Sequence, residues 1–208
     1  MICPSRRVVL ALFVAVVIHA LPAAAQEQLL DRVLARIGTE AITQTDVQAL
    51  VEFGLIEAKS ATEPAAVRQA IERQLELREV SRFPPAEPTA AAVEQQLTAM
   101  KARVGARLDA VMRANGLDEA RVQALGRDTL RIRTYLDQRF GTTPVGEDEA
   151  RKYFEEHRSE FTRNGAPMTF EEAGAEARQR VSTDRLAKAV TQWLQDLRAR
   201  TDVVLVSP

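Results

Sequence analysis

The chain has 208 residues, with 28 basic and 29 acidic side chains and a formal net charge of −1. So even a balance leaves no clustered positive excess, which excludes the electrostatic footprint of a nucleic-acid binder. One Cys and two His are too few ligands for a zinc centre of the usual kind, and no glycine-rich phosphate loop is written anywhere.

The first 25 residues read as an export signal. Arg6 and Arg7 give the positive start, the 14-residue run Val8 to Leu21 is apolar, and Ala23 and Ala25 fit a small-x-small cleavage site. The apolar run is short of the ~20 residues that span a bilayer, so cleavage after Ala25 is expected rather than membrane insertion. "SRRVV" also has the look of a twin-arginine signal, but the strongly apolar middle favours the general secretory route. Cleavage removes Cys3, Arg6, Arg7 and His19, leaving 183 residues with net charge −3, one histidine (His157) and no cysteine. The expected location is the periplasm. With no thiol, the mature chain has to stand on its apolar core.

Past the signal, Val33, Ala35 and Ile37 alternate at strand spacing, Gly38-Thr39 offers a tight turn, and Ala41-Ile42 resumes the strand. Thr43 or Thr45 is placed to cap a helix over "DVQALVEFGLIEA". Pro64 suits the first turn of the next helix, behind Thr62 as a candidate cap, with Val67, Ile71, Leu75 and Val80 on its apolar stripe. Pro84, Pro85 and Pro88 then break the chain. Val93, Leu97, Met100 and Val104 form a clean helical stripe. A shorter helix with Leu108, Val111 and Met112 stops at Asn115-Gly116. Val122, Leu125, Thr129, Ile132, Leu136 and Phe140 share the face of a helix that stops at Gly141. Another helix is predicted from about Glu147 to Phe161, with Tyr153 and Phe154 inward. After Asn164-Gly165, the "TFEE" capping box opens a long helix bearing Phe170, Ala177, Val181, Leu186, Val190, Trp193 and Leu197. Its five-residue step from Val181 to Leu186 predicts a bend or phase slip near Ser182. "DVVLVSP" closes as a strand. The fold class is therefore mostly α, with a small β element formed by the N-terminal hairpin and the C-terminal strand.

The catalytic inventory is thin. His157 sits among charges in "FEEHRSEF", where a solvated surface role is the ordinary reading. The pairs Glu155-Glu156 and Glu171-Glu172 read as solvated faces or helix N-terminal partners. No catalytic, metal-binding or cofactor-binding residue is assigned.

"DRVLARIGTEAITQTDVQAL", "AIERQLELREVSRF", "GLDEARVQALGRDTLRIRTYLDQRF", "VGEDEARKYFEEHRSEFT" and "TFEEAGAEARQRVSTDRLAKAVTQWLQDLRARTDVVLV" occur in an order that resembles the SurA-type periplasmic chaperones and exported parvulin-type prolyl isomerases. The resemblance spans nearly all of the mature chain. It implies one helical chaperone domain over residues 26–208, with a proline-rich break at 83–88. In that family an isomerase domain lies between the connector and the return helix. Here only the seven residues 162–168 lie there, against the ~50 or more that a folded domain takes. The resemblance thus carries the chaperone module without the enzyme. It implies ATP-independent binding of unfolded or extended exported polypeptides, outer-membrane proteins among them, in a helical cradle. Residual isomerase activity and a dedicated binding role for a single envelope protein are the alternatives. Phe53, Met100 and Met112 are adaptable apolar side chains of the kind a promiscuous groove would use, though their place on helical stripes favours the core.

Overall fold

In a computed structural model, residues 31–141 and 144–206 are described; the export signal expected over residues 1–25 lies outside them. The first element is a hairpin, β1 (Val33–Ile37) and β2 (Glu40–Thr43), turned at Gly38, whose φ of +59° is the left-handed conformation the turn demands. A bulge interrupts the register between Val33 and Ala35. β5 (Val203–Leu205) returns from the far end of the sequence to pair antiparallel with β1, giving the order β2-β1-β5. Gly38 N–H donating to Asp202 O (3.0 Å) and Val206 N–H donating to Leu34 O (3.0 Å) extend that pairing at both ends.

Seven α-helices are built among the described residues, and their ends follow local chemistry. Thr43 caps α1 (Gln44–Glu52): its hydroxyl accepts from Asp46 N–H, and the Asp46 carboxylate accepts from Thr43 N–H at 3.0 Å. α2 (Pro64–Arg82) starts on Pro64 behind Glu63, not on a Thr62 cap; Thr62 instead shares a hydrogen bond with Ser60 at 3.2 Å. α3 (Ala90–Val104) is capped by Thr89, α4 spans Leu108–Ala114, and α5 (Glu119–Phe140) is capped by Asp118.

α6 (Glu147–Glu156) is shorter than the sequence pattern predicts. His157 ends it, with Nδ1 2.9 Å from Tyr153 O and its ring stacked on Tyr153, and a 3-10 turn then swings Phe161 back onto Phe154. Two short strands, β3 (Thr162–Arg163) and β4 (Ala166–Pro167), pair around Asn164 and Gly165, both at positive φ. This is the two-residue Asn-Gly hairpin expected of that dipeptide. α7 (Phe170–Ala199) opens with the predicted Thr169–Glu172 capping box and stays helical through Ser182.

Three apolar clusters form. The largest sets the sheet (Ala35, Ile37, Ile42) against α1, α2, the end of α5 and the end of α7. Trp193 anchors α7 there, between Tyr135 and Phe140. The second joins α3, α4 and the start of α5, so closely that a Cβ at Gly126 would stand 3.2 Å from Leu97 Cδ2. The third is local to α6, the β3–β4 hairpin and the start of α7. α7 runs from the third cluster to the first, and residues 182–185 between them are exposed. The five-residue step in its stripe marks that handover.

Candidate binding cleft

Three helices and the hairpin surround an open cleft of about 620 Å³. The walls follow helical periodicity. α1 contributes Asp46, Ala49 and Leu50; α2 contributes Ala70, Arg73, Gln74 and Leu77; α5 contributes Arg121, Ala124, Leu125 and Asp128. Each set recurs at i, i+3 and i+4, so each helix gives the opening a single face. Glu40, Ala41 and Ile42 of β2 and Leu117 from the α4–α5 turn complete it. The space exists because four of these positions are alanine. Larger side chains at Ala41, Ala49, Ala70 and Ala124 would fill it. Its size falls within the ~300–1,000 Å³ typical of ligand pockets, with an apolar floor and a charged and polar rim of Glu40, Asp46, Arg73, Gln74, Arg121 and Asp128.

Arg73 is the unusual member. It is only 9% exposed, yet it sits in an otherwise apolar α2 stripe, Ala66, Ala70, Arg73 and Leu77. Its Nη2 donates to Leu125 O (3.2 Å) and to Thr129 Oγ1 (2.9 Å), and Thr129 Oγ1 donates in turn to Leu125 O at 2.8 Å. Burial pulls the guanidinium below its usual pKa, and the charges of Asp128 and Glu76 oppose that shift. One turn further along α2, burial raises the half-buried Glu76 carboxyl to about 7, with Arg73 opposing the rise and Glu72 adding to it. No carboxylate of the described residues stands within ion-pairing reach of Arg73.

The acidic members of the cleft each have a partner. Glu40 accepts from Gln74 Nε2 at 2.9 Å, and Asp46 belongs to the α1 capping box. Asp128 lies 3.6 Å from Arg131, which also reaches Glu87 at 3.4 Å.

The three residues proposed from sequence as client contacts do not line this cleft. Phe53 and Met100, each 2% exposed, are interior members of the second cluster, and Met112 packs half-buried against the same cluster. The structure therefore brings the three together, but as core. The reason is the stripe itself: Met100 shares the inward face of α3 with Val93, Leu97 and Val104. Phe53 closes α1 just before Gly54 (φ +67°) turns the chain, which drives its ring inward. Apart from Ile42 and Leu125, which lie on predicted apolar faces, the cleft residues escaped sequence reading because they lie beside the main apolar stripes. The one available signal was an arginine where the α2 stripe calls for an apolar side chain.

A second apolar surface lies at the sheet edge, where Val204 (49% exposed), Leu205 (60%) and Val206 (39%) stand on or beside β5. His157, by contrast, has a structural task at the end of α6. Among the described residues, no helix is long and apolar enough to cross a membrane.

No protein-family model matches the chain, and a search of characterised proteins finds no relative.

Proposed function

We propose that this chain is an ATP-independent periplasmic chaperone or assembly factor that holds extended segments of unfolded exported proteins in the α1–α2–α5 cleft. The observation that carries the reading is the cleft itself: an apolar floor of Ile42, Leu50, Leu77 and Leu125, kept open by alanines and rimmed by polar groups. Helical grooves of this kind take polypeptide segments by burying alternate apolar side chains, at about 25 cal/mol per Å² of apolar area removed from water. Binding the unfolded state lowers its free concentration by mass action and so slows aggregation without nucleotide. The resemblance of the helical segments and their order to the SurA-type chaperones supports the same role, as does the export signal.

The test is light scattering of a denatured outer-membrane protein diluted into buffer with purified residues 26–208. Suppression at up to a few-fold molar excess is expected. Unchanged aggregation at tenfold excess would sink the reading. A prolyl-peptide isomerisation assay decides the enzymatic alternative, for which no rate enhancement is expected.

A dedicated binding role draws support from the sheet edge. An uncovered edge strand carrying Val204 and Leu205 could add one strand from a specific partner. Pull-down from periplasmic extract separates the two readings: a single stoichiometric partner favours the dedicated role, and many substoichiometric ones favour general holding.

A further inference from the structure

One wall of the cleft is a strand edge. Successive residues of a strand point to opposite faces, so Glu40, Ala41 and Ile42 border one opening together only where that opening meets the edge of β2. The order β2-β1-β5 leaves that edge without a neighbouring strand among the described residues. The ladder also fixes which peptide groups face it. Gly38 N–H and Leu34 O bond to β5, so Leu34, Arg36 and Gly38 turn toward β5, and Ala35 and Ile37 turn toward β2. The partners of Ala35 and Ile37 on β2 are Ile42 and Glu40. Ala41, opposite Arg36, therefore directs its N–H and C=O away from β1. Ala41 is exposed on the cleft, and neither group has a partner among the described residues.

Side-chain charge selects no occupant. Glu40, Asp46 and Asp128 stand against Arg73 and Arg121, each carboxylate has a partner, and Arg73 is held by Leu125 O and Thr129 Oγ1. What the cleft offers unpaired is one peptide donor and one peptide acceptor beside an apolar floor. The complement of that pair is another extended backbone. A helix has already spent its N–H and C=O groups internally, and a purely apolar ligand has none.

Resting on the peptide-holding reading, we propose that an internal, extended segment of a client joins the sheet as a further strand on the free edge of β2. Ala41 exchanges two backbone hydrogen bonds with it, and every second client side chain lies on the floor formed by Ile42, Leu50, Leu77 and Leu125. The preferred client is a segment of alternating apolar and polar residues, the pattern of a strand with one buried face. Pairing through the main chain tolerates any sequence that keeps this alternation. The grip is also short: Thr43, the next residue facing that edge, already gives its N–H to the Asp46 carboxylate at 3.0 Å. A strand held at one residue of β2 exchanges readily, which suits release without nucleotide.

The experiment is fluorescence anisotropy with residues 26–208 and a labelled, end-blocked decapeptide of alternating valine and threonine. A second peptide replaces its central amides by esters, which lose the N–H donors and weaken the carbonyl acceptors while keeping the side chains. A third carries the same number of valines and is stapled into a helix. The all-amide strand is expected to bind about tenfold or more tightly than either, the scale of two hydrogen bonds. Ala41→Pro removes an N–H that β1 does not use, and proline is tolerated at such an edge position. It is expected to weaken the amide peptide and to shrink its advantage over the ester. Its folding is checked by circular dichroism, and the peptide comparison on the unaltered chain stands even if it fails to fold.

Equal binding of amide and ester overturns the edge pairing while leaving apolar holding intact. Equal binding of the helical peptide overturns the commitment to a strand. A folded Ala41→Pro chain with an undiminished preference for the amide overturns the assignment to β2. Failure of all three peptides to bind overturns the pairing, and only loss of aggregation suppression as well removes the holding role beneath it.

Discussion

The two ends of α7 serve two differently finished regions. Around its N-terminal turns, α6 and the β3–β4 hairpin close on themselves. Phe154 (2% exposed) and Phe161 (1%) meet at 5.1 Å between ring centres, and Phe170 joins them. Arg180 covers the Phe161 ring at 4.4 Å while pairing with Glu160 (2.8 Å) and Glu176 (2.7 Å). Arg151 covers Phe170 at 4.1 Å. Each of the rings of Tyr153, Phe154, Phe161 and Phe170 has an aromatic neighbour there. The region around the cleft is left unfinished: alanines stand where the walls could meet, and a buried arginine is held by Leu125 O and Thr129 Oγ1 without a direct ion pair. Both regions come from amphipathic helices, so apolar patterning does not separate them. Side-chain volume does, with phenylalanine sealing one and alanine holding the other open.

The sharpest way to break this contrast is at the sealed end. Phe154→Ala should cost about 3–5 kcal/mol of stability by chemical denaturation, since the ring leaves a cavity that its aromatic neighbours cannot fill. A loss under 1 kcal/mol would mean that this region is not tightly packed.

Next in size is a pH effect near the open end. The folded state holds the Glu76 proton more tightly than the unfolded state, with a pKa of about 7 against an ordinary 4.5. The associated stability is therefore fully present below pH 4.5 and is lost as the pH rises through about 7. The loss is on the order of 3 kcal/mol. Glu76→Gln should flatten this part of the stability–pH curve in urea titrations. A slope unchanged in the variant would place the proton elsewhere.

Smaller again is Gly165→Ala. With φ at +82°, an added Cβ strains the hairpin by roughly 1–2 kcal/mol although open space surrounds it. The effect should appear in stability and leave client holding unchanged.

Smallest in stability and most telling for function is Ala124→Trp. Ala124 is exposed on the cleft wall of α5, so the ring should occupy the opening without entering the core. Melting should shift by less than the equivalent of about 1 kcal/mol, mostly from helix propensity. Aggregation suppression should fall by about tenfold or more, the scale of a blocked site. Full suppression by a folded Ala124→Trp chain would move the holding surface to the sheet edge.

Much of the local architecture was legible because local chemistry dictates it. Thr43 caps α1, Thr169 and Glu172 box α7, and Asn164-Gly165 turns the β3–β4 hairpin, each through bonds made within a few residues. The α3 stripe of Val93, Leu97, Met100 and Val104 likewise announced its buried face. Where nearby residues compete on equal terms, the pattern alone misled. α6 ends at Glu156 and not at Phe161, because the His157 ring binds Tyr153 O and Phe161 gains more by folding back onto Phe154. Of the bend or phase slip expected near Ser182, the phase slip is visible: residues 182–185 form an exposed helical stretch where α7 passes from one core to the other.

The cleft belongs to the other kind of fact. Periodicity assigns Ala49, Ala70 and Ala124 to three separate helices, and nothing local says that those faces converge. Nor does it say that Arg73 would be buried where Leu125 and Thr129 of a distant helix receive it. By itself, the sequence determined most of the helices, the caps at Thr43 and Thr169, and the Asn164-Gly165 turn. Only tertiary packing decided which apolar residues are consumed as core, Phe53 and Met100 among them, and which face is left open. Burial is a property of neighbours brought from far along the chain, and a stripe records only that a face is apolar, not what will cover it.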